Sequence, residues 1–179
     1  MANDATYGSC LLGEDEFVAV VEGCRYTNAE FRHADHIRLA WIYVRRYGAR
    51  QAEERIAATI RRFAISHGHE TKYHETQTRA WLRLVATAQH LTPTVTAFDD
   101  FLTKHGWLLD RSALSAFYSS AHLSSEAARR GWADPDQMPF PCLSPGVRIT
   151  SSVPATQSQI VALSSIDVSD NRTVPVAHD

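Results

Sequence analysis

The stretch Asn28-Ala-Glu-Phe-Arg-His33-Ala-Asp-His36-Ile37-Arg-Leu-Ala40-Trp41-Ile-Tyr-Val44-Arg-Arg-Tyr47 carries the reading of the whole chain. His33, His36, Ile37, Ala40, Trp41 and Val44 recur at the spacing of one face of an α-helix. That face is apolar except at its start, where two imidazoles stand in line with core residues. Thr27 followed by Glu30 is a capping-box pattern, which starts the helix near residue 28. Gly48 supplies the stop.

The same period governs the neighbouring segments. Phe17, Val20, Val21 and Cys24 predict a helix over 14–24, and Ala52, Ile56, Ile60 and Phe63 predict one over 50–66, closed by Gly68. Trp81, Leu82 and Val85 belong to a helix over 71–90. Thr92-Pro93 opens a fifth, over 93–105, with Val95, Phe98, Phe101 and Leu102 inward. Asp110 caps a sixth that carries Leu114, Phe117, Tyr118 and Ala121, and a short seventh over 125–130 ends at Gly131. No segment alternates with period two. The expectation is an all-α protein: a compact antiparallel bundle of five to seven helices with an irregular C-terminal tail. Residues 1–139 form the helical domain. Residues 140–179, rich in Ser, Thr and Val and without an aromatic after Phe140, read as a disordered or extended tail.

Composition narrows the function. The 179 residues are 44% hydrophobic and 21% charged, with a net charge of −2. That balance suits one globular domain and gives no basic field to attract nucleic acid or an anionic membrane. The longest aliphatic run, from Phe17 to Val21, is too short to span a bilayer. Three cysteines without a C-x-x-C pair, and a start without a secretory signal pattern, predict reduced thiols in a cytoplasm. There is no Gly-rich phosphate loop, G-x-S-x-G elbow or dinucleotide fingerprint, so no nucleotide cofactor is expected. The expected partner is a small-molecule substrate, with neither nucleic acid nor membrane.

The nine histidines give the functional clue. His74 heads a second stripe, with Thr78, Trp81, Leu82 and Val85 behind it. Short loops favour antiparallel neighbours, so an up-down-up path brings His33, His36 and His74 to one end of the bundle. The same path brings His67, His69 and His105 to that end and leaves His90 and His122 at the other. Three neutral imidazoles with a carboxylate form a ligand set for a divalent Fe, Zn, Ni or Cu ion. The sequence therefore points to an enzyme whose metal ligands are His33, His36 and His74. Lys72-Tyr73-His74-Glu75 is its catalytic segment, with Glu75 as fourth ligand or general base and Tyr73 or Lys72 orienting a small substrate, an anion among the candidates. Two other readings fit the same residues. One is a metal-free enzyme using His74 and Glu75 for acid/base chemistry. The other is a binding or regulatory helical module whose histidines are hydrogen-bonding core groups. Glu30-x-x-His33 occurs once, whereas a di-iron bundle uses two copies of that motif.

Phe31-Arg-His33-Ala-Asp-His36-Ile-Arg-Leu-Ala-Trp41 and Lys72-Tyr73-His74-Glu75-Thr76 resemble segments of a group of small bacterial helical proteins. Leu109-Asp110-Arg-Ser and Gly131-Trp132-Ala-Asp-Pro135-Asp are similar too. The resemblance covers about residues 14–139. It implies a helical fold and the pairing of the two histidine motifs, and it supplies no reaction.

Overall fold

The computed structural model describes residues 12–27 and 31–141, all of which lie in one compact unit. Their regular structure is entirely helical: α1 (Glu14–Glu22), α2 (His33–Ser66), α3 (Glu75–Leu91), α4 (Phe98–Lys104), α5 (Ser120–Leu123) and α6 (Glu126–Arg130). Three 3₁₀ turns, at Glu70–Lys72, Gly106–Leu109 and Arg111–Ala116, connect them. Among these residues no helix is long and apolar enough to cross a membrane. The expected tail from residue 142 onward, like Glu30, lies outside the described residues.

Helix α2 is a hairpin of two arms. At Gly48 the backbone has φ 71° and ψ 159°, a region essentially confined to glycine, and the chain reverses there. Tyr43 Oη lies 3.1 Å from Thr59 Oγ1, the Arg55 guanidinium sits 4.1 Å over the Tyr47 ring, and the Phe31 and Phe63 rings are 4.7 Å apart. Low numbers meet high numbers throughout, so the arms are antiparallel and break at the expected glycine. The first arm begins at His33 and not near residue 28. Arg32 is the cap residue, and its N–H donates to Asp35 Oδ2 at 2.8 Å, one half of a capping box, five residues downstream of the Thr27 pattern.

Helix α3 lies beside both arms. Its contacts with the first keep a constant offset: His33 meets Trp81 at 4.5 Å between rings, and Gln89 Nε2 donates to the Trp41 carbonyl at 2.7 Å. Its contacts with the second run in reverse, Tyr73 against Ala57, Arg79 against Glu54 and Arg83 against Glu53. The path is therefore up-down-up. Helix α3 starts at Glu75 and not at 71, because Gly68 (φ 69°) leads into the 3₁₀ turn and His74 caps the helix.

Ile37, Trp41, Leu82, Val85, Phe101, Leu108 and Phe117 are at most 1% exposed and form the centre of the core. Each such side chain contributes roughly 1.5–3 kcal/mol of transfer free energy. Trp81 and Phe98, read from the sequence as core, are only half-buried. Helix α4 is shorter than the predicted 93–105 and rests Phe98 and Phe101 on Trp41, at 5.4 and 6.1 Å. The sixth predicted helix is a 3₁₀ turn, capped by Asp110 as expected, and α6 ends at Gly131 as expected.

From Gly131 the chain returns as a strap. The Thr76 hydroxyl donates to the Gly131 carbonyl at 2.8 Å and accepts the Ala133 N–H at 3.0 Å. Gln137 N–H donates to the Phe117 carbonyl, and Phe140 stacks on Phe117 at 4.6 Å. Phe140, one residue past the predicted boundary, packs against the helical core.

Candidate functional site

The end of the bundle where α2 and α3 begin encloses a cavity of about 630 Å³. Its inner wall is apolar. Phe31 comes from the segment before the hairpin, Ile56, Ile60 and Phe63 from its second arm, Trp81 from α3, and Leu114 from the 3₁₀ turn that covers it. Its polar lining includes His33, His36, His69 and His74, with Lys72, Arg111, Ser112, Ser115 and Ser120 exposed toward solvent. Among the described residues no carboxylate lines it, and Lys72 and Arg111 bring the permanent positive charge.

Three of these histidines, His33, His36 and His74, were read from helical spacing, and each is held differently. His33 Nε2–H donates to the Leu108 carbonyl at 2.9 Å, which fixes the tautomer and leaves Nδ1 as the lone-pair nitrogen. The ring packs edge-on against Trp81. Burial holds the His33 pKa below its usual value, and the nearby Arg111 guanidinium acts in the same direction. His36 sits one turn further on, 4.3 Å from the Phe31 ring. Protein surrounds it on every side but the cavity, and burial, with His33 and Arg111 adding to it, pushes its pKa down to about 3. Both imidazoles are therefore neutral at pH 7.

His74 has another office. Its Nδ1 accepts the Gln77 N–H at 3.3 Å as the cap of α3, and its Nε2–H donates to the Leu123 carbonyl at 2.8 Å. Both ring nitrogens are engaged, so neither is open to a metal or a proton in this arrangement. The offset between α3 and the first arm explains the separation. His33 stands level with Trp81, seven residues into α3 from His74, or about 10 Å along the axis at 1.5 Å per residue.

Glu75 does not line the cavity. Its Oε1 accepts from Arg79 Nε at 2.6 Å and its Oε2 from the Tyr73 hydroxyl at 2.5 Å. Arg79 in turn pairs with Glu54 at 2.8 Å. Tyr73, His74 and Glu75 are tied into the joint between α3 and its surroundings, while Lys72 is exposed at the cavity mouth. Among the described residues no three His, Cys, Asp or Glu side chains are grouped to hold an ion. His33, His36 and His74 all line the cavity, and both ring nitrogens of His74 are engaged within the protein.

Two further placements differ from the predicted ones. His105 Nε2–H donates to Thr92 Oγ1 at 3.0 Å, at the far end of α3, because α4 is too short to carry it back. His122 stacks on Tyr118, which lines the cavity, so it belongs near this end. His90 lines a separate cavity of about 420 Å³ with Arg45 and Thr92. Sequence reasoning did not single out Arg111 as a site residue. The cue available was the Asp110 cap, which fixes a turn that carries Arg111 and Ser112 to the mouth. The Leu108 carbonyl that orients His33 has no side-chain signature at all.

Comparison with family models, with curated proteins and with solved structures finds no match.

Proposed function

We propose that the protein is an enzyme acting on a small molecule by acid/base chemistry, with His33 as the proton-transfer group. The observation that carries this reading is the single-tautomer imidazole of His33. One nitrogen is fixed by a backbone carbonyl and the other is free, in a cavity of a size that takes a small ligand. A general base must begin neutral, and the environment of His33 keeps it so. His36 is a neutral hydrogen-bonding neighbour. His74 and Glu75, first candidates by sequence, support the site by capping α3 and anchoring Tyr73.

The test is a library of small metabolites incubated with the full chain in deuterated buffer and followed by NMR. Conversion or deuterium uptake is expected with the wild type and lost in His33→Gln. Turnover that survives His33→Gln overturns the assignment.

A metal-assisted reading of the same cavity rests on His33 Nδ1 and the ring of His36, with water or substrate completing the shell of a Zn, Fe, Ni or Cu ion. Equilibrium dialysis of metal-stripped protein against Zn²⁺ tests it. Binding should vanish in His36→Gln and persist in His74→Asn; the reverse order overturns it.

A further inference from the structure

The cavity is divided by polarity along its depth. Phe31, Ile60 and Phe63 are buried in its inner wall, whereas Lys72, Arg111 and Ser112 are exposed at its mouth. The Asp110 carboxylate is adjacent and ionised, and its charge favours that of His33, but it does not line the cavity: it accepts the Ser112 backbone N–H at Oδ1 and the Ser112 hydroxyl at Oδ2, each at 2.8 Å. That cap also fixes the turn from which Arg111 projects. Arg111 lines the same cavity as His33 and His36, whose charging it opposes. A cationic ligand head would meet Arg111 and Lys72 with no lining carboxylate to receive it. A wholly polar ligand would leave the aromatic inner wall without a partner and lose its own hydration there.

We propose that the cavity takes an amphipathic organic carboxylate, an alkyl or aryl acid, which enters apolar end first and leaves its carboxylate at the mouth against Arg111, beside His33. The guanidinium fork matches a carboxylate in two parallel hydrogen bonds, which fixes the orientation of the head as well as its charge. The apolar body lies along Phe31, Phe63 and Trp81. This deepens the acid/base reading, because it sets the part of the substrate nearest His33 Nδ1 as the portion adjoining the carboxylate.

Binding can be read apart from turnover. Octanoate, octylammonium, octanol and acetate are titrated into the full chain by calorimetry. The Trp81 indole resonance, assigned with Trp81→Phe, reports whether the probe occupies this cavity or the one beside His90. Octanoate should bind at least tenfold more tightly than octylammonium and acetate and shift Trp81. Arg111→Gln should remove the preference for octanoate over octanol, and His33→Gln should leave octanoate binding within about threefold. Octylammonium binding as tightly as octanoate, a preference that survives Arg111→Gln, or octanoate binding that leaves Trp81 unmoved each overturns the proposal. Arg111 is exposed and has no core packing to lose, so its substitution reads binding and not folding. Failure here leaves the role of His33 standing, since the turnover lost in His33→Gln is a separate measurement.

Discussion

Histidine protonation sets how this protein responds to acid. Burial depresses the pKa of His36, to about 3, and lowers those of His33, His74 and His105. An unfolded chain restores each to about 6.5. Between its folded and unfolded values each group binds more protons in the unfolded state, so all four contribute stability above pH 6.5 and lose it as the pH falls below that, His36 down to about pH 3. The slope per group has a ceiling of about 1.4 kcal/mol per pH unit, and solvent reaching His36 through the cavity keeps it below that. The midpoint of thermal unfolding should fall steadily from pH 6.5 to 4, and His36→Gln should flatten the descent. An unchanged descent would mean that His36 titrates like a surface histidine. His74→Ala carries a different signature. It removes a cap and a hydrogen bond to Leu123, and the loss of the cap alone costs about 0.5–2 kcal/mol, read by denaturant unfolding. Helical spacing together with the up-down-up path pointed to His33, His36 and His74, since a stripe states which residues share a face and the path states which ends meet. It did not identify which nitrogens are free, because His33 and His74 are both held by backbone carbonyls from segments 75 and 49 residues away.

At the level of elements, the turn at Gly48 decides whether α2 is one long rod or two arms. An added Cβ there would meet nothing within 4 Å, so space is not the constraint; the positive φ is. Gly48→Ala should cost about 1–3 kcal/mol of stability. Gly106→Ala, where φ is ordinary and the space equally open, serves as the control. Equal effects from the two would refute the backbone argument. The helices were legible because their apolar faces repeat, and several stops were legible because glycine marks them. The starts were not. Thr27 and Glu30 read as a cap, whereas Arg32 and Asp35, which hold the observed start, carry no such pattern, and the long-range hydrogen bond of His33 to Leu108 accompanies the later start. The axial offset between α3 and the first arm was also hidden, since an up-down-up path says which ends meet and not at what height.

Across the whole molecule, the strap from Gly131 to Phe140 closes the unit. Phe140→Ala removes the stack on Phe117, worth about 0.5–1.5 kcal/mol beyond the area it buries, and should lower the unfolding midpoint. A chain ending near residue 145 keeps that stack and should melt within about 4 °C of the full protein. A larger drop would make the remaining residues part of the core. The cavity walls also differ in construction. One side is the long α2 hairpin with α3, locked by Arg79 and Arg83 on Glu53 and Glu54. The other, from Gly106 to Leu123, is two 3₁₀ turns and a four-residue helix, with few consecutive backbone hydrogen bonds. Local opening draws on such weakly cross-linked stretches first. Amide protons from Gly106 to Leu123 should therefore exchange with deuterium well before those of Leu39 to Tyr43, and a ligand bound against Arg111 should slow precisely that fast-exchanging set. The entrance to the cavity would then set both the rate of ligand arrival and the lifetime of the bound state, while the hairpin behind it stays protected.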